Sequence, residues 1–341
     1  MLEKFKSKDE QILGMLNKRH TDLSKLAKDI AEELNKKGIG IKEAGTVFKD
    51  PDFAQKFIEQ VGKKALEDVS KMFEIAKGEK IIEVNEIKIG FPEMQEDVAA
   101  VADNAAAIFS NKQIMLNKWY YNALVNALFE DFQAGNDVSI NVLKSLVHSY
   151  TNMHVVETIP DKILSKYRIG ERLEDHIEAL AIYVYTRLVH ESVHAVQYSC
   201  GAKETKDNMI GMEGSASFVE VYFANALINN DKEKIAKEIK EDFESLSAKM
   251  EELASLWSLK SIFTMKVNGG FISGLVSPYE LGMYVFAKIY QASGSFAETL
   301  KFIVSLLEKG EISDHDLYKE FEKLHAQQLS NAADIMPLQR K

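Results

Sequence analysis

The sequence predicts a mainly α-helical protein with a small β-sheet, an α+β fold, and three observations point there. Only five prolines occur in 341 residues, so few positions forbid helix. Long segments rich in Ala, Leu, Glu and Lys repeat their apolar residues at the 3.6-residue helical period. Strand-like patterns are confined to two short stretches. In chain order, the periodicity predicts helices over residues 9–37, 52–77, 93–109, 112–134, 138–150, 171–199, 213–229, 231–266, 278–292, 296–308 and 314–329. Residues 80–89 place Ile82, Val84, Ile87 and Ile89 around a turn, and residues 154–159 (HVVETI) are short and β-branched; these are the expected strands. Residues 266–277 form the most glycine-rich loop. Gly78–Glu79 follows a Lys-rich, uniformly helical stretch and marks the expected boundary between a helical N-terminal region, 1–78, and the rest of the chain, 79–341.

Composition narrows the function classes. With 46% hydrophobic and 28% charged residues, the chain can bury a large core and is neither disordered nor fibrous. A formal charge of −10 opposes nucleic acid or an anionic membrane as the main partner. Cys200 is the single cysteine, so neither an internal disulfide nor a thiolate metal cage is possible. Histidines and carboxylates remain as candidate metal ligands. No signal-peptide pattern is visible at residues 1–10, and the apolar stretch 179–189 falls short of the roughly 20 residues a spanning helix needs. The expectation is a cytoplasmic protein.

Within the helix predicted over 171–199 stands His190-Glu191-Ser192-Val193-His194, an H-E-x-x-H pattern. Residues four apart share one helix face, so both imidazoles can reach one zinc ion at about 2.0–2.1 Å. Glu191 lies beside them, placed as a general base. Tyr185–Leu188 and Ala195–Tyr198 contain neither glycine nor proline, so the helix runs unbroken through the motif. Glu213 follows His194 after 18 intervening residues and is the candidate third ligand. Two histidines and one glutamate leave a fourth zinc position open for water, as hydrolysis needs. Gly214 and Ala216 are small enough to let the second helix approach the first.

The pattern HESVH, 18 residues, EGSASFVE resembles the gluzincin zinc metallopeptidases, in particular their aminopeptidase branch. That resemblance implies a thermolysin-like catalytic domain, one Zn²⁺ per chain on His190, His194 and Glu213, Glu191 as base, and a peptide or protein as substrate. Tyr279-Glu280-Leu281-Gly282 looks like the Y-x-x-G of that branch, whose tyrosine hydroxyl stabilises the oxyanion. A protonated phenol is suited to that donation. Tyr284 is the fallback. Between Lys112 and Arg187 nothing resembles the G-x-M-E-N segment that binds a substrate's free amino group, so exo- and endopeptidase action both stay open.

Glu220, seven residues after Glu213, can take the N–H of a ligand histidine or be a solvated acid; Ser217 stands where many gluzincins carry an acid. Arg187 and Gln197 share the metal-facing stripe, as cleft residues or as an ordinary interhelical salt bridge and a surface amide. His154 is either an ordinary half-exposed strand residue or part of an edge strand that pairs with extended peptide. Two other readings stand beside the peptidase: a catalytically weak peptide- or protein-binding module, and a zinc hydrolase of a non-peptide amide or ester.

Overall fold

The computed structural model describes residues 7–81, 86–92, 107–130, 172–202, 205, 207–229, 231–256, 278–309, 313–319 and 321–323. The helix expected over 138–150, the strand over 154–159 with His154, and the loop 266–277 lie outside them.

Helix α1 (Lys8–Lys36) starts in a capping box: Ser7 Oγ accepts from Glu10 N at 3.2 Å, and Ser7 N donates to the Glu10 carboxylate at 2.9 Å. It stops at Gly38, whose φ of +71° suits a residue without Cβ. A short helix absent from the expected set, α2 (Ile41–Lys49), follows. In α3 (Pro51–Lys77), Asp50 caps Phe53 N at 3.0 Å and Pro51 occupies the first turn.

Strands β1 (Lys88–Gly90), β2 (Ala107–Ser110) and β3 (Gln113–Leu116) form a sheet in the order β1-β3-β2, with β1 parallel and β2 antiparallel to β3. This corrects the helices expected over 93–109 and 112–134 at residues 107–109 and 113–116, which are strand; residues 93–106 lie outside the described ones, and β1 falls at the end of the strand stretch expected over 80–89. Asn111 and Lys112 both have positive φ, 49° and 61°, and close a two-residue hairpin whose twist matches the strands. Four-residue apolar runs such as AIFS and QIML fit either period, so pairing decides their state. Helix resumes at α4 (Lys118–Val125), where Asn117 Oδ1 accepts from the backbone N–H of Trp119 and Tyr120. It continues as a π-helical turn, Asn126–Glu130, where the Leu128 carbonyl meets His176 Nδ1 at 2.5 Å.

The molecule is organised around α5 (Leu173–Ser199), whose residues 179–197 are all buried. Helices α1 and α3, strand β2 and helix α6 (Met209–Ile228) pack on it. Helix α6 is likewise buried from Ile210 to Leu227. Both lack the polar face of a surface helix because neither has a surface. Around α6 lie α7 (Lys232–Leu256), α8 (Pro278–Ser293) and α9 (Phe296–Glu308), the last of which packs on α3 and α8. The α6 N-terminus is capped from far along the chain: Asp314 accepts from Ile210 N at 2.9 Å and Gly211 N at 3.3 Å. Among the described residues, no helix is long and apolar enough to cross a membrane.

One buried polar cluster ties α1 and α3 to α5. Arg19 makes a two-pronged bond to Asp68, and Tyr185 donates to Asp68 Oδ2 at 2.7 Å. Burial, reinforced by the Asp68 carboxylate, pushes the Tyr185 phenol far above its ordinary value, so it stays a donor. Asp68→Ala would leave Arg19 facing only the rim acids Asp22 and Glu67. The expected loss in urea unfolding is about 3 kcal/mol; a loss below about 1 kcal/mol would show the tie to be idle.

Candidate metal centre

A helix buried on every side can carry charged residues only where they are paired or ligate an ion, because an isolated buried charge is prohibitively costly. The buried polar residues of α5 and α6 converge on one place. His190, Glu191, His194, Glu213 and Glu220 are each 2–7% exposed. Nε2 of His190 lies 3.1 Å from Glu213 Oε2, and Nε2 of His194 lies 3.4 Å from the same oxygen. The two Nε2 atoms are 3.2 Å apart. His190, His194 and Glu213 thus bring together the three residues expected from the spacing, each offering one donor atom, and they could hold a metal ion.

The other ring nitrogens decide what those three atoms can be. His190 Nδ1 is 3.1 Å from Glu220 Oε2, a carboxylate oxygen, so the ring donates there. His194 Nδ1 is 2.7 Å from Gln197 Oε1. The Gln197 amide is oriented by its own partners: Nε2 donates to the Met212 carbonyl at 2.9 Å and to Ser215 Oγ at 2.8 Å. A flipped amide would set oxygen against a carbonyl oxygen, so Oε1 faces His194 and accepts its N–H. With both N–H groups on Nδ1, two Nε2 lone pairs and a carboxylate oxygen point at one spot. Such a triangle needs a cation or a proton at its centre.

Charge tells the same story. Counted as ionised, Glu191, Glu213 and Glu220 are opposed among these side chains by Arg187 alone, which lies 3.3 Å from Glu220 and 3.8 Å from Glu191. Two negative charges remain, which a dication would neutralise. Burial works against charge on His194, yet Glu213, with support from Glu191 and Gln197, pushes that imidazole up to about 9. Burial raises Glu213, but the two imidazoles outweigh it and hold the carboxyl well below the usual carboxylate range. The cluster therefore seeks positive charge between its ligand atoms.

Comparison with protein-family profiles, with curated proteins and with solved structures finds no match for this chain.

Tyr279, half-buried in the first turn of α8, has its ring centroid 6.2 Å from that of His190. Tyr284 instead lies against Phe321 and beneath Lys288. What brings Tyr279 there is a crossing of α6 and α8 at two glycines. A Cβ built on Gly214 would lie 2.2 Å from Gly282 Cα, and one on Gly282 would lie 2.1 Å from the Ile210 carbonyl oxygen. Gly214 is thus small for the sake of α8, not for the approach of α6 to α5 that its sequence position suggested. Ser217 Oγ is buried without a hydrogen-bond partner among the described residues, and Glu220 holds His190 instead.

Gln197 is no surface amide, whereas Arg187 does make an interhelical salt bridge, to Glu220 at 3.3 Å; both are buried beside the two histidines. Sequence reasoning missed Ser215 and the Gly282 contact. It also missed Tyr120, which lies with Tyr279 within electrostatic reach of Arg187. A usable signal for Ser215 was present: a small polar residue in an otherwise apolar helix needs a partner inside the core.

Proposed function

We propose that the protein is a zinc-dependent peptidase of gluzincin type. The observation that carries this reading is the convergence of His190 Nε2, His194 Nε2 and Glu213 Oε2, with both imidazoles held as Nδ1–H donors. Four-coordinate zinc with bonds of about 2.0–2.1 Å spaces its ligands about 3.3–3.4 Å apart. The observed separations of 3.1, 3.2 and 3.4 Å suit it. Two imidazoles and a carboxylate are also a donor set that zinc favours.

His190, His194 and Glu213 would hold the ion. When bound, zinc supplies Lewis acidity, polarising a carbonyl and drawing the pKa of a water towards 7. Glu191 is next to a ligand, in electrostatic contact with His194, and stands outside the convergent donor set. Its carboxylate is suited to take a proton from the attacking water and return it to the leaving amine. Arg187 faces one Glu191 oxygen at 3.8 Å and limits how that carboxylate can turn. The Tyr279 hydroxyl is assigned to the developing oxyanion. Glu220 keeps the His190 ring in its ligating tautomer.

A peptide is favoured as substrate by the sheet. Strand β2 packs on α5, the helix bearing both histidines, and Phe109 meets Tyr198 at 5.3 Å. Among the described residues β2 lies at the edge of the sheet, and an extended peptide adding to that edge is the mode of recognition this reading proposes.

The test is metal content and turnover together. The purified protein should hold about one zinc per chain and cleave a quenched peptide library in a chelator-sensitive way; His190→Ala should lose both. A parent protein that binds no zinc would overturn the reading. Zinc without cleavage would favour the binding module, and cleavage of esters alone the non-peptide hydrolase.

A further inference from the structure

The two ligand histidines are held in different ways. His190 is held by a carboxylate, Glu220, which Arg187 clamps from α5. His194 is held by a neutral amide on its own helix, and that amide is fixed by α6. Gln197 is fully buried and makes three polar contacts: Oε1 with His194 Nδ1 at 2.7 Å, and Nε2 with the Met212 carbonyl at 2.9 Å and with Ser215 Oγ at 2.8 Å. Ser215 Oγ lies 2.7 Å from the Gly211 carbonyl and donates there, which leaves its lone pairs for Gln197. Met212 and Ser215 flank Glu213 on α6. A single side chain therefore orients one ligand, His194, against the backbone turn that presents another, Glu213.

We infer that Gln197 is a positioning residue for the metal centre, whose Oε1 fixes His194 as the Nδ1–H tautomer. The inference rests on the zinc reading above. A neutral imidazole can ligate through Nε2 only when its proton sits on Nδ1, and a buried N–H without an acceptor is disfavoured. Remove the acceptor and the ring loses its reason to keep that tautomer. An amide suits the place better than a carboxylate for a second reason. Its N–H groups satisfy the Met212 carbonyl and Ser215, and it adds no charge to a site that a dication already neutralises.

The experiment measures zinc affinity of the full-length, metal-stripped protein by competition with a chromophoric chelator, alongside the thermal midpoint without metal. Gln197→Met keeps the volume and removes the acceptor. Its zinc dissociation constant should rise 10- to 100-fold, the usual cost of losing such a partner. Gln197→Glu retains an acceptor for His194 but gives up the amide donors to α6. It should stay within about fivefold of the parent affinity even where its thermal midpoint falls.

A purely structural role predicts that both variants lose affinity in step with stability. Gln197→Met within twofold of the parent, or Gln197→Glu losing as much as Gln197→Met, would overturn the inference. Should Gln197→Met fail to fold, Gln197→Glu decides alone: retained affinity supports the role, and a loss beyond tenfold refutes it. A parent that binds no zinc defeats the metal reading itself, a different result from a zinc-binding parent indifferent to Gln197.

Discussion

On the proposed peptidase reading, Glu191→Gln is expected to bind zinc and lose turnover by a factor on the order of 10²–10⁴, the usual contribution of a positioned general base. The amide has nearly the shape of the carboxylate and cannot take up a proton. Metal should stay because Glu191 contributes no atom to the triangle formed by His190, His194 and Glu213. Stability should change little, since Arg187 keeps its contact with Glu220 at 3.3 Å when its Glu191 partner becomes neutral. Metal analysis, thermal unfolding and steady-state cleavage of the peptide library separate these effects. Full turnover in the variant would remove Glu191 from the chemistry, and loss of zinc would make it a ligand.

Gly214→Ala should be among the most damaging single-methyl changes in the chain. Its new carbon would lie 2.2 Å from Gly282 Cα and 2.4 Å from the Gly282 carbonyl carbon, both backbone atoms that cannot rotate away. Helices α6 and α8 must separate to admit it, at a cost of about 3 kcal/mol or more. Glu213 precedes Gly214 and Tyr279 lies one helical turn before Gly282, so the same separation should weaken metal binding and shift the tyrosine. Gly282→Ala should behave alike, since its carbon would meet the Ile210 carbonyl oxygen at 2.1 Å.

Gly14 provides the control: it sits within α1, exposed, with nothing within 4 Å of an added Cβ. Gly14→Ala should stabilise by about 0.5–1 kcal/mol through helix propensity. Urea unfolding of the three variants tests the crossing. A Gly214→Ala protein as stable as Gly14→Ala would refute it.

Helices were legible where the physics is local. The expected 52–77 and 296–308 stand within a residue of the observed ends, because Asp50 with Pro51 and Ser295 are side-chain or backbone starts that act within one turn. Of the strands, β1 alone was legible, at the end of the expected stretch 80–89. β2 and β3 are four residues each, too short for a period to show, and they exist because β3 pairs with β2 on one side and with β1 on the other. The hairpin's Asn111-Lys112 turn was the available local signal, a weak one without glycine.

At the site the same division holds. Residues His190 and His194 share a face by helix geometry alone, and Glu191 and Glu213 follow from spacing. Glu220 stayed undecided until α6 was laid beside α5, when its Oε2 came 3.1 Å from His190 Nδ1. Burial settled Gln197 and Arg187, since what reads as a surface amide or ion pair changes meaning once no solvent is left to compete.

The sequence by itself determined the helical character of the chain, the two histidines one turn apart and the acids near them, because each depends on bonds and dihedral angles within a few residues. Only the tertiary structure decided that Gln197 and Glu220 hold the rings, that Gly214 and Gly282 let α6 and α8 touch, and that Tyr279 rather than Tyr284 stands beside His190. Those facts depend on how rigid helices pack. Packing is a sum over contacts between residues far apart in the chain, which no local pattern records.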